Sequence, residues 1–140
     1  MRKFRRTFGF IFNHPLAKKH LVNALFKFAF WQIQTRLQPS KFVVKPFLHD
    51  VKFYARKGLV GITGNIYTGL HEFDDMAFLL HFLRPDDSFY DVGANVGSYT
   101  LLASGICKAR TIAIEASANT AVITQKKMPS TSMLTIMGSL

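Results

Sequence analysis

The sequence predicts an α/β fold built on a single β-α-β unit, preceded by an N-terminal helix and a short β-hairpin. Three observations predict it. A strand-like run from Ser88 to Val92 leads into a glycine-bearing turn, DVGANVGSYT (Asp91 to Thr100). A helical stretch follows, from about Ser98 to Ser104. A second apolar run, Thr111-Ile112-Ala113-Ile114, then ends at Glu115. Two strands joined through a helix pair in parallel.

The elements before that unit differ in character. Residues 1–15 read as a basic, partly flexible arm. Ala17 to about Leu37 has helical spacing, with Lys19, Asn23, Lys27 and Gln34 on one stripe and Leu21, Leu25, Phe28 and Trp31 on another. Lys41–Val44 and Val51–Ala55 read as short strands of a hairpin, with Pro46 to Asp50 between them. Gly58, Gly61, Gly64 and Gly69 then argue for turns over GLVGITGNIYTG, not for a regular element. His71 to Leu83 is a helix, with Glu72, Asp74 and Asp75 in the first turn, where the helix dipole favours negative charge. Phe73, Met76, Ala77, Leu80 and Leu83 form a buried-type face. Phe78, Leu79 and Phe82 make the opposite side apolar too, so cover on both sides is expected. Pro85 stops the helix.

Composition bounds the function. A chain of 140 residues has room for one domain with a core, and its 49% hydrophobic content, including 14 phenylalanines, is not that of a disordered chain. Net charge is +10, but 13 of the 18 Lys and Arg precede Gly58, against one acid, Asp50. A basic front of this kind meets phosphate or anionic lipid, or is a solvated surface. No nucleic-acid motif accompanies it, and no nucleic-acid partner is expected. Leu21 to Ile33 is too short and too interrupted to span a bilayer, and the N-terminus fits a signal peptide poorly, so a cytoplasmic protein, peripheral to the membrane at most, is expected. Cys107 cannot form an intrachain disulfide; it reads as a packing residue more simply than as a nucleophile. The five histidines lack metal-ligand spacing.

The turn carries the chemistry. Glycines at the end of a first parallel strand let backbone approach a ligand, and the next helix aims its free N–H groups at the same crevice. Glu115, 24 residues after Asp91, stands where an acid can accept ribose hydroxyls. A phosphate loop is excluded, since no Gly-Lys-Ser/Thr follows. The spacing Gly93 to Gly97 fits a dinucleotide fingerprint poorly, and Asp91 disfavours a pyrophosphate. An acid there suits a cofactor carrying positive charge, such as S-adenosylmethionine.

FYDVGANVGSYTLLAS followed by ARTIAIEA resembles the FkbM family of S-adenosylmethionine-dependent methyltransferases, and GNIYTGLHEFDDMAFLLHFLRPDD is similar to that family's lead-in. The resemblance runs from about Gly58 to Glu115. It implies a Rossmann-like methyltransferase fold and methyl transfer to a hydroxyl oxygen of a small molecule or glycan. It implies cofactor binding by Asp91, Gly93, Asn95 and Gly97, ribose binding by Glu115, and closure over the methionine end by Tyr67 and Glu72. It names no catalytic base.

The chain departs from the family after Glu115, where Ala116 stands in place of a usual proline and the remaining residues read like a changed frame. Three parts are therefore expected: a basic region at 1–57, the start of a methyltransferase domain at 58–115, and an atypical tail at 116–140. The resemblance implies a larger sheet, of which this chain supplies the first two strands. A truncated enzyme, inactive alone, is expected. The alternatives are a peripheral membrane or partner-binding module with a vestigial cofactor loop, and one piece of a split enzyme.

Overall fold

A computed structural model of the chain describes residues 2–59, 61–117 and 120, with the side chains of residues 2 and 3 left aside. The expected tail lies largely outside the described residues. The N-terminal region is helical from the start: α1 spans Arg2–Asn13, α2 Pro15–Lys19 and α3 Leu21–Leu37. The expected flexible arm is therefore a helix. Its apolar residues recur at helical spacing, and Ile11 is fully buried while Phe8 meets the Phe28 ring at 5.2 Å. His14 separates α1 from α2. Its Nδ1 accepts the Ala17 N–H at 3.4 Å, capping α2, and its Nε2–H donates to the Leu70 carbonyl. The single helix expected from Ala17 is thus two, broken at His20.

The hairpin forms as expected, with β1 (Val43–Pro46) antiparallel to β2 (Lys52–Ala55) and Val43 opposite Ala55. Phe53 and Ala55 point into the core.

The glycine-rich stretch holds a regular element after all, α4 (Ile62–Thr68). Its glycines are boundaries and a contact point. Gly61 and Gly69 cap the two ends at φ 91° and 88°. Gly64 lies inside, where a Cβ would stand 2.1 Å from Nδ1 of His71. Helix α4 packs on α3 through Tyr67, whose ring meets Phe28 at 5.2 Å and whose hydroxyl accepts from Gln32 Nε2 at 3.1 Å.

Helix α5 (Phe73–Phe82) buries Met76 and Leu79, with Leu83 just beyond its end. The expected cover on the second side is partial: Leu79 is buried there, while among the described residues Phe78 and Phe82 stay about two-thirds exposed and stack on one another at 5.3 Å. Strands β3 (Ser88–Val92) and β4 (Arg110–Ile114) pair in parallel, with Asp91 opposite Ala113. Between them run a short turn of helix, α6 (Ser98–Thr100), and a buried π-helical segment (Leu101–Ile106). The expected uniform helix is therefore widened, with the Cys107 N–H reaching back to the Leu102 carbonyl at 3.0 Å. Among the described residues β3 and β4 make a two-stranded sheet.

Gly64 supplies a test. In a helix interior Gly→Ala ordinarily stabilises by about 0.5–1 kcal/mol. Here the His71 ring, held against Phe10 at 4.9 Å, fills the space. Gly64→Ala is expected to destabilise by about 1–3 kcal/mol in chemical denaturation, and that loss is expected to shrink towards zero in a His71→Ala background. Equal losses in both backgrounds would contradict the contact.

Candidate functional site

The parallel register brings the two acids to one end of the sheet. Ile114 pairs with Val92, so Glu115 leaves β4 beside the first residue of the turn. The Ile114 carbonyl accepts from the N–H groups of Gly93 and Ala94 at 2.8 and 3.0 Å, which ties the turn to the strand end. The chain then reverses through three left-handed positions, Gly93 at φ 78°, Asn95 at 50° and Gly97 at 74°. Glycine adopts this conformation without strain, and asparagine tolerates it better than most residues. At Gly93 no atom lies within 4 Å of where a Cβ would stand, so backbone there is open to close approach.

Asp91 looks inward from β3 and is buried. Its Oδ2 accepts the Thr100 N–H at 2.9 Å and also the Thr100 hydroxyl. Burial pushes its carboxyl above the ordinary range, the two Thr100 bonds oppose that, and the nearby Glu115 charge adds to it. Glu115 is half-buried. Its Oε2 accepts the Asn95 N–H at 2.7 Å and its Oε1 the Ser117 N–H at 2.8 Å. Among the described residues the carboxylate is thus held by two backbone N–H groups, in bonds that ligand hydroxyls could exchange into.

Asp91, Gly93, Asn95, Gly97 and Glu115 therefore come together. Glu72 joins them at one remove, since its Oε2 accepts the Tyr99 hydroxyl at 2.8 Å. Burial and that carboxylate push the Tyr99 phenol well up, keeping it a donor. Tyr67 sits elsewhere, buried against Phe28 with its hydroxyl held by Gln32.

Sequence reasoning missed Asn65 and Thr100. Asn65 is buried and bridges α4 to the turn: its Nδ2 donates to Ser98 Oγ at 3.0 Å and to the Gly61 carbonyl at 3.1 Å, and its Oδ1 accepts the His71 N–H at 2.7 Å. Thr100 had one usable signal, a hydroxyl in the first helical turn after a strand-end acid. Cys107 is not built as a nucleophile. Burial pushes its thiol up, which outweighs the lowering by Arg84 and keeps it protonated. Among the described residues no cluster of His, Cys, Asp or Glu could hold a metal ion, and no helix is long and apolar enough to cross a membrane.

The arrangement makes a stability prediction with a definite sign. Because burial raises the Asp91 carboxyl above 3.8, its contribution is fully present below that value and is lost as pH rises through the raised one. Asp91→Asn removes the charge and keeps the shape. At about pH 7 its melting temperature is expected to be no lower than wild type, with a flatter pH profile across the mildly acid range. A lower melting temperature at neutral pH would show that the Thr100 bonds outweigh the burial of the charge.

No protein-family model matches the chain, and no curated protein matches it. Among solved structures it is similar to a cyclopropane synthase from Mycobacterium tuberculosis, with 16% identity and a TM-score of 0.41. The likeness covers 59% of this chain and 28% of that one, so the chain spans under a third of that protein's length. A likeness at this level carries no functional argument.

Proposed function

We propose that residues 58–115 bind S-adenosylmethionine and belong to a Rossmann-like methyltransferase of the FkbM type, acting on a hydroxyl oxygen. The observation that carries the reading is the convergence of two carboxylates, Asp91 and Glu115, on one left-handed glycine turn at the end of parallel strands. Two acids repel a phosphate and attract a cation. That argues against a dinucleotide or a nucleoside phosphate and favours a nucleoside cofactor with an ammonium and a sulfonium.

The residues present fit such a group. Open space at Gly93 admits close backbone approach. Glu115 stands at the strand end with both oxygens in exchangeable bonds, suited to paired hydroxyls. Asp91 is the buried negative charge that orders the cationic end, directly or through water, while Thr100 fixes its rotamer. Glu72, aimed through Tyr99, borders the same turn. Bound S-adenosylmethionine supplies an electrophilic methyl group. The acceptor class, a hydroxyl of a small molecule or glycan, rests on the sequence resemblance alone.

Methyl transfer requires an acceptor oxygen aligned with that methyl group. The described sheet has two strands. Phe78, Phe82, Tyr90 and Val92 stand exposed around it. An open groove of about 450 Å³ beside β3 is lined by Phe78, Phe82, Phe89 and Tyr99 among others. We read these surfaces as the seat of further elements that would build the acceptor side.

Calorimetric titration tests this. The chain is expected to bind S-adenosylmethionine and not NAD. Glu115→Gln is expected to weaken binding ~10-fold or more, as for loss of a charged hydrogen-bond acceptor. Comparable binding of NAD, or an unchanged affinity in Glu115→Gln, would overturn the assignment.

A further inference from the structure

Helix α3 has two apolar faces, and among the described residues one of them is buried and the other is not. Ala24, Phe28, Trp31 and Thr35 are buried against α1, α4 and the hairpin. On the opposite side Val22, Phe26, Phe30, Ile33 and Leu37 are each at least half exposed, Val22 at 84% and Leu37 at 77%. At about 3.6 residues per turn these five fall in one arc of roughly 80°. Phe26 and Phe30 stack at 6.3 Å, which makes a continuous aromatic surface within the stripe. Scattered exposed apolar residues are ordinary, but five in register along a whole helix mark a surface built to be covered.

The charges around the stripe say what covers it. Lys27 and Arg36 stand exposed on either flank of α3. At its start Lys18, Lys19 and His20 line an open hollow of about 600 Å³ together with Val22, Asn23 and Phe26, so basic groups and the apolar stripe share one depression. Near its middle the Lys45 ammonium lies 4.9 Å from the Phe30 ring centre. Asp50, between β1 and β2, is the one acid among residues 1–57. A second copy of the chain placed on this stripe would set like charges against each other. An anionic bilayer surface matches both features: acyl chains take the phenylalanines and headgroup phosphates take the lysines. Helix α3 has 17 residues, about 25 Å, and lies in such an interface without crossing it.

We propose that the outward face of α3 docks this protein onto an anionic lipid surface, with Val22, Phe26, Phe30, Ile33 and Leu37 entering the headgroup boundary and Lys18, Lys19 and Lys27 meeting lipid phosphates. The docking is independent of the cofactor site. All the residues concerned lie before Gly58.

Flotation of the full chain with vesicles tests it. Vesicles of phosphatidylglycerol mixed with phosphatidylcholine are expected to retain the protein at least ~10-fold better than phosphatidylcholine alone, with the difference shrinking at high salt. Phe26→Ser with Ile33→Ser is expected to reduce retention ~10-fold or more while leaving the melting temperature unchanged, since both side chains are exposed. Lys18→Gln, Lys19→Gln and Lys27→Gln together are expected to abolish the preference for the anionic vesicle. Equal retention by both vesicles, or wild-type retention by the Phe26→Ser, Ile33→Ser protein, would overturn the proposal. A dimer in solution that this pair of substitutions dissociates, with no vesicle binding, would assign the stripe to a second copy and overturn it as well.

Discussion

The site depends on one buried contact, the Asp91 carboxylate accepting both donors of Thr100. That contact joins the end of β3 to the first turn of α6 across nine residues. The chain between them must therefore reverse in a small space. It does so through three left-handed positions, Gly93, Asn95 and Gly97, and the reversal places the turn beside Glu115. A carboxylate whose charged form is disfavoured by its own burial is an unfavourable choice for stability alone. A buried carboxyl near a second carboxylate at a strand end is the arrangement on which the proposed cation site rests.

Much of this unit is legible in the sequence. Strand β3 begins and ends where the apolar run does, and α5 follows its apolar spacing and acidic first turn. Asp91, the glycine turn and Glu115 come together as their spacing implies. What spacing does not encode is side-chain reach. Asn65 and Thr100 lie on different elements from the partners they hold, and nothing local in the sequence marks an amide or hydroxyl as a bridge.

The misread elements share a physical cause. Four glycines between residues 58 and 69 suggest an irregular segment, yet Gly61 and Gly69 are the ends of α4 and Gly64 makes room for His71. The basic residues of α1 suggest a solvated arm, yet Phe8 and Ile11 fix it to the core. In both cases tertiary contact overrides local propensity. Helix α5 differs in the other direction: of its second apolar side Leu79 is buried, but Phe78 and Phe82 face outward beside β3. Helix α3 is the same case with a different outcome, because apolar residues on both faces blur the period that would separate a buried stripe from an exposed one.

The most direct test of the two-carboxylate account is residue-level. Backbone amide NMR spectra of the chain would be followed as S-adenosylmethionine is added. The account predicts that the amides of Gly93, Asn95, Gly97 and Ser117 move together along one binding curve, as the ligand meets the turn and Glu115 exchanges its backbone partners. Shifts confined to other parts of the chain, or no shifts at saturating ligand, would contradict it.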